Sequence, residues 1–165
     1  MKLSFSTRGW QSLSWEESVA AAKASAFQGI EVYDVLHRAD FCQRGGAFDA
    51  YQATSTAREL REAGLRLPCF DTPCDLSTPV EKEAAQTLLE RARLAQAPYV
   101  AFCALHENED MVRLNLETLL PMAQEKSVVL LLKTTGIYAD TARLRTLMDS
   151  FASDQLAALW DMHHP

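Results

Sequence analysis

Short apolar runs alternate along the whole 165-residue chain with longer stretches whose apolar residues recur at helical spacing. The runs are Leu3 to Thr7, Gly29 to Val35, Leu65 to Phe70, Tyr99 to Leu105, Val128 to Lys133 and Leu156 to Asp161. Runs of this length, separated by amphipathic segments, predict βα units feeding a parallel sheet. Val128 to Leu132 contains no polar residue, as a strand covered on both faces requires.

The intervening stretches carry helix-start signals. Ser14-Trp15-Glu16-Glu17 has capping-box spacing and opens a helix over Ser18 to Phe27. Asp49 can cap a second over Ala50 to Ala63, with Gly64 placed to end it in the left-handed conformation. Thr78-Pro79-Val80-Glu81 puts proline in the first turn of a third that runs to about Ala97. The fourth spans Asn108 to Lys126. Pro121 is expected to bend or break it near Leu119, because proline removes one intrahelical hydrogen bond and crowds the preceding turn. Asp140 caps the fifth, through Asp149.

Six strands and about five helices, with no boundary between them, predict one α/β domain over residues 1–165. Two architectures fit, an open doubly wound sheet and an incomplete (β/α)8 TIM barrel. Thr7-Arg8-Gly9-Trp10 after the first strand is not a Gly-rich phosphate loop, so the nucleotide-binding version of the open sheet loses support. A whole barrel takes about 250 residues. At roughly 30 residues per unit the chain supplies five units and a sixth strand.

The charge balance, 16 Lys+Arg against 22 Asp+Glu for a net of −6, argues against a surface that attracts nucleic acid or anionic lipid. No apolar run approaches the roughly 18 residues of a membrane span. The first eight residues lack the apolar core of a signal peptide, and a cytoplasmic location is expected. Cys42, Cys69, Cys74 and Cys103 lack the paired spacing of a zinc site and are expected to be reduced, partly buried thiols. Cys69 and Cys74 flank Asp71, which leaves a pocket role open to one of them.

In either architecture, function gathers at the carboxyl ends of the strands. There the sequence places Arg8, Glu31 and Asp34, Asp71, His106, Lys133, and Asp161 with His163 and His164. A single polar residue at a strand end is what any strand leaving a core shows. Six strands in succession doing so, with Glu31 inside Gly29-Ile30-Glu31-Val32-Tyr33 and Lys133 behind a wholly apolar run, point to one convergent polar site. Asp161 and the histidine three residues on suit two ligands of a divalent metal, a carboxylate-oriented histidine, or a solvated terminus. Lys133 suits Schiff-base chemistry if desolvation lowers its pKa. It suits simple ion pairing if Glu31, Asp71 and Asp161 keep it protonated.

Leu3-Ser4-Phe5-Ser6-Thr7-Arg8-Gly9-Trp10, Gly29-Ile30-Glu31-Val32-Tyr33, Cys69-Phe70-Asp71-Thr72 and Leu159-Trp160-Asp161-Met162-His163-His164 together resemble the sugar phosphate isomerase/epimerase family. These are xylose isomerase-like TIM barrels, related to the endonuclease IV barrels, and the resemblance covers their first five and a half units. It implies a divalent cation (Mn, Mg, Co or Zn) held by a Glu at the end of strand five, an Asp at the end of strand six, and ligands from strands seven and eight. Asp161 and His164 match the strand-six pair by spacing, and His106 resembles the strand-four histidine of the endonuclease branch. Leu132-Lys133-Thr134 stands where the family has its strand-five Glu, so a cation replaces a cation ligand and repels the ion directly.

What the resemblance implies is isomerisation or epimerisation of a small carbohydrate by proton transfer next to a carbonyl, inactive in these 165 residues alone. Asp161 and His164 would hold a metal or a substrate hydroxyl. Lys133 would stabilise the oxyanion, and Arg8, Glu31, Asp71 and His163 would contact the substrate, with His106 as a second catalytic candidate. The other reading is a non-catalytic degenerate barrel that binds a carbohydrate or supports a partner chain. Either way, the remainder of a longer chain or a second copy is expected to cover the open barrel edge.

Overall fold

The computed structural model describes residues 2–160, so Asp161, His163 and His164 lie outside the described residues. Six strands form one sheet: β1 (Ser4–Ser6), β2 (Gly29–Tyr33), β3 (Cys69–Asp75), β4 (Tyr99–Cys103), β5 (Val129–Lys133) and β6 (Leu156–Leu159). Their spatial order follows the chain order, and every pairing is parallel. A doubly wound sheet reverses its order at a switch point. This one does not, and winds as a TIM barrel does. Among the described residues β1 pairs only with β2 and β6 only with β5, so the sheet is not closed.

Six helices connect the strands: α1 (Trp15–Ala24), α2 (Ala39–Cys42), α3 (Ala53–Glu62), α4 (Lys82–Leu94), α5 (Glu109–Lys126) and α6 (Thr141–Phe151). Residues of period two on each strand divide the sheet into two faces. Phe5, Ile30, Val32, Phe70, Val100, Phe102, Leu130, Leu132 and Leu156 join the helices in one large buried cluster. Cys69, Ala101 and Leu131 lie on the other face in a separate small cluster, with Val129, Ala157 and Leu159 beside them. That second face is the barrel interior, and it carries the candidate site.

Several start signals operate as read. Ser14 and Glu17 form the reciprocal capping box of α1, Asp140 accepts from the backbone N–H groups of Ala142 and Arg143, and Gly64 takes φ 75° after α3. Several boundaries differ. α1 begins at Trp15 and stops at Ala24, and α3 begins at Ala53, because Asp49 instead accepts from Gly45, Tyr51 and Gln52 and ties up the preceding turn. α4 begins at Lys82, after a turn in which Asp75 and Ser77 hydrogen-bond each other. α2 was not expected. It exists because Phe41 is fully buried against Trp15 and Phe48, with ring centroids 5.9 and 5.7 Å apart, so packing overrides weak propensity.

α5 runs unbroken through Pro121. Pro121 and Glu117, whose carbonyl loses its intrahelical donor, both lie on the exposed side. On that side the freed carbonyl is open to solvent, which removes most of the cost of losing its intrahelical donor.

β3 starts at Cys69 and extends to Asp75, not Leu65 to Phe70 as expected. Pro68 cannot donate to the ladder, and Arg66 contributes only an isolated bridge to Gly29. Beyond Asp71 the register with β4 shifts before Asp75 meets Cys103, as expected of a strand containing Pro73. Asp71 therefore sits inside its strand and not at its end.

Candidate functional site

Three ionisable side chains from three different strands meet on the interior face. Glu31 is the middle residue of β2, between Ile30 and Val32, which are both fully buried against the helices. Alternation alone sends Glu31 the other way. Asp71 follows Cys69 on the same face of β3, and Lys133 follows Leu131 on the same face of β5. Lys133 and Asp71 form an ion pair, with side chains only 10% and 6% exposed. β4 lies between their strands, and Lys133 reaches over it. The β4 residue in register with Asp71 is Ala101, whose small side chain leaves the passage open.

Glu31 completes the cluster. Burial raises its carboxyl above the ordinary value; a hydrogen bond from Ser6 opposes this, the charge of Asp71 adds to it, and Lys133 and Arg8 pull it back down. Ser6 is the register partner of Glu31 on β1, and its hydroxyl also accepts from the Arg8 N–H. Arg8 lies past the end of β1, with its guanidinium 5.0 Å from the centre of the Tyr33 ring. The rim therefore combines a fixed cation, a protonatable carboxylate and an aromatic ring.

Two glycines hold the frame. A Cβ on Gly29 would meet Ser4 Oγ at 2.8 Å and the Arg66 carbonyl at 2.9 Å, so β1 and the approach to β3 close around it only because it has none. Gly136, three residues past Lys133, has φ 59°, and a Cβ there would sit 2.1 Å from the Ala104 carbonyl. The loop after β5 thereby packs on the loop after β4, and Ile137 N–H donates to that same carbonyl at 3.0 Å.

Among the described residues two other sequence candidates, His106 and Asp34, have partners of their own. β4 ends at Cys103, so His106 stands beyond the strand, exposed, with Nε2 3.5 Å from Asp75. Burial would raise the Asp75 carboxyl, yet hydrogen bonds from the Ser77 hydroxyl and N–H and from Leu105 N–H, with His106 alongside, hold it below the ordinary value. Asp34, in a left-handed conformation at φ 53°, turns to His37, 2.6 Å away. Burial pushes the Cys69 thiol far up, and the charges of Glu31 and Asp71 push it further. Burial likewise pushes Cys74 up to about 11. Both stay protonated, which disfavours them as nucleophiles. Ser6, Tyr33 and Ala101 were not singled out in the sequence. The pairing of β1 with β2 and the alternation within β2 are the signals that reach Ser6 and Tyr33.

Among the described residues no three His, Cys, Asp or Glu side chains stand close enough to hold a metal ion. Lys133 puts an ammonium, already paired with Asp71, among the carboxylates that a cation would need. The described residues do not fit a divalent metal.

No protein-family model matches the sequence, and no curated protein matches it. Solved structures do match. A xylose isomerase domain protein from Planctomyces limnophilus superposes with a TM-score of 0.67 at 11% identity, over 94% of this chain and 59% of the other. A D-allulose 3-epimerase from Methylomonas sp. gives 0.74 at 13% identity, over 99% and 64%. A sugar phosphate isomerase/epimerase from Parabacteroides distasonis gives 0.65 at 12% identity, over 97% and 67%. This chain thus spans about three fifths of the length of the first two. Its fold, six parallel strands wound in chain order with helices outside, is the one these structures share with it over the matched part.

Proposed function

We propose that this chain forms the substrate-binding part of a barrel that isomerises or epimerises a small carbohydrate next to its carbonyl, without a metal at Lys133. The observation that carries this reading is the meeting of Glu31, Asp71 and Lys133 on the interior face, in a fold shared with sugar isomerases and epimerases. An ammonium has three N–H donors, so pairing with Asp71 leaves donors for a substrate oxygen. Glu31, with its raised pKa, is a stronger base than a solvated carboxylate. It takes the proton from the carbon next to the carbonyl. The C–H electron pair becomes a carbon–carbon double bond, and the carbonyl electrons move onto oxygen, giving an enediolate whose charge faces Lys133. Return of the proton from Glu31 to the former carbonyl carbon, with the hydroxyl proton of the deprotonated carbon passing to the enediolate oxygen so that a new carbonyl forms there, isomerises the sugar, while return to the same carbon from its other face needs a second proton donor.

Asp71 fixes the lysine, and Arg8 and Tyr33 line the entry. The exposed edges of β1 and β6 take further strands or a second copy in this reading, which light scattering on the purified chain addresses. A stable, well-behaved monomer would count against it.

The test is ligand-observed NMR of the purified chain with D-allulose and D-fructose in D2O. Saturation transfer to the sugar, with deuterium appearing next to the carbonyl and lost in Glu31→Gln, supports the proposal. Binding without exchange favours the second reading, a carbohydrate-binding barrel without catalysis, to which the Lys133–Asp71 pair also points. No binding of either sugar overturns both for these substrates.

A further inference from the structure

At the opposite end of the strands from Lys133, a concavity of about 990 Å³ opens between the C-terminal ends of α3 and α4 and the segments leading into β1, β3 and β4. Its size matches ligand sites of roughly 300–1,000 Å³. Leu60, Leu65 and Leu67 make an apolar floor, Tyr99 adds a ring 40% exposed, and Lys2, Arg61 and Arg66 supply three cations. Among the described residues no carboxylate lines it. Among the described residues none of the three cations has an acidic partner, the one side-chain bond being Arg61 to Gln96 Oε1 at 2.8 Å. In a chain of net charge −6, three uncompensated cations around one cavity are a local reversal of the field.

Helix-terminus electrostatics accounts for only one of them. Arg61 occupies the last turn of α3, where a cation complements the helix dipole. Lys2 and Arg66 belong to no helix. The final carbonyls of α3 and α4 are already engaged, Leu60 O by Leu65 N–H and Ala92 O by Ala97 N–H, so they do not need these side chains. Three cations that share one cavity with no acidic partner suit an anion there.

We propose that this concavity binds a small phosphorylated ligand that carries a planar ring, of the nucleoside phosphate class. Arg61, Arg66 and Lys2 hold the phosphates, guanidinium groups being suited to two-point phosphate contacts. Tyr99 stacks on the ring, and the leucine floor excludes water from its far side. The site is remote from the Lys133 cluster and independent of the function proposed for it.

The test is calorimetric titration of the purified chain with ADP, with inorganic phosphate and adenosine as separate probes. ADP is expected to bind one per chain, more tightly than either probe, and more weakly as salt is raised. R61S/R66S should weaken ADP at least tenfold, Tyr99→Ser should weaken ADP while leaving phosphate unchanged, and Lys133→Met should have no effect. Melting curves check that the variants are folded, and Lys2→Glu replaces R61S/R66S if that pair is not. The proposal is overturned by absence of saturable ADP binding, by unchanged affinity in the folded cation variant, or by phosphate alone binding as tightly as ADP.

Discussion

The two faces of the sheet are built from the same strands by strict alternation, yet they do different work. The helix-facing side is closed by large apolar residues, many fully buried, and aromatic edges interlock there, as between Phe48 and Phe70 with centroids 5.2 Å apart. Among the described residues the interior side has a small buried apolar cluster, Cys69, Ala101 and Leu131, and carries Glu31, Asp71 and Lys133 beside it. One face supplies the stability that the other spends on charges held out of water. A buried ion pair of this kind is weak evidence for stability, since desolvation can cancel its attraction. It is better evidence for a site.

Substitutions on the two faces should separate these roles. Phe70→Ala, on the helix-facing side, should cost about 3–5 kcal/mol in urea unfolding, as large-to-small changes of a well-packed aromatic do. Lys133→Met leaves Asp71 and Glu31 as neighbouring carboxylates without their cation, and should cost about 3 kcal/mol, the low end for breaking a buried pair, because the rim is open. Leu131→Ala should cost about 2 kcal/mol, less than Phe70→Ala, because the sparse interior face can relax around it. A Leu131→Ala loss equal to that of Phe70→Ala would erase the distinction between the faces.

Glu31→Gln tests the charge on the interior face through pH. A carboxyl whose native pKa is raised binds its proton more tightly folded than unfolded. Its favourable contribution is full below the ordinary carboxylate value and is lost as pH rises through the native one. The variant should therefore match the parent in acid and become relatively more stable as pH rises to neutral, in thermal melts at matched salt. A difference that does not change with pH would remove Glu31 from the desolvated cluster.

The smallest effect belongs to the surface. Glu109 bridges Arg113 and Arg143, each at 2.9 Å, and hydrogen bonds from Arg143, working against burial, hold its carboxyl below the ordinary value. Its contribution is present above the ordinary carboxylate pKa and lost as pH falls through the native one. Glu109→Gln should cost under about 1 kcal/mol at neutral pH, and less at high salt, because these groups are partly solvated.

Much of this architecture was legible in the residues. The alternation of apolar runs and helices gives the unit, and the absence of a Gly-rich loop weakens the nucleotide-binding alternative. Glu31 inside Gly29-Ile30-Glu31-Val32-Tyr33 stands out because a lone acid in a strand core must face the other way. The sequence names Asp71 with Glu31 and Asp161 as carboxylates that could pair with Lys133; what local pattern does not carry is which of them the ammonium meets. That requires knowing that β4 separates β3 from β5 and presents Ala101 at the crossing. For the same reason α2 escaped notice, since its formation rests on Phe41 finding Trp15 and Phe48. Proline misled in both directions, tolerated in α5 because Glu117 faces water and decisive at Pro68 because a parallel ladder needs its missing N–H.

The convergence of Lys133 and Asp71 is measured most directly by a double-mutant cycle, comparing Lys133→Met, Asp71→Asn and the two together in denaturant unfolding at neutral pH. The structure predicts a coupling of about 1–3 kcal/mol, with the double variant recovering much of what each single loses. Additivity within about 0.5 kcal/mol would mean that the two side chains do not meet, and that the interior face holds no such site.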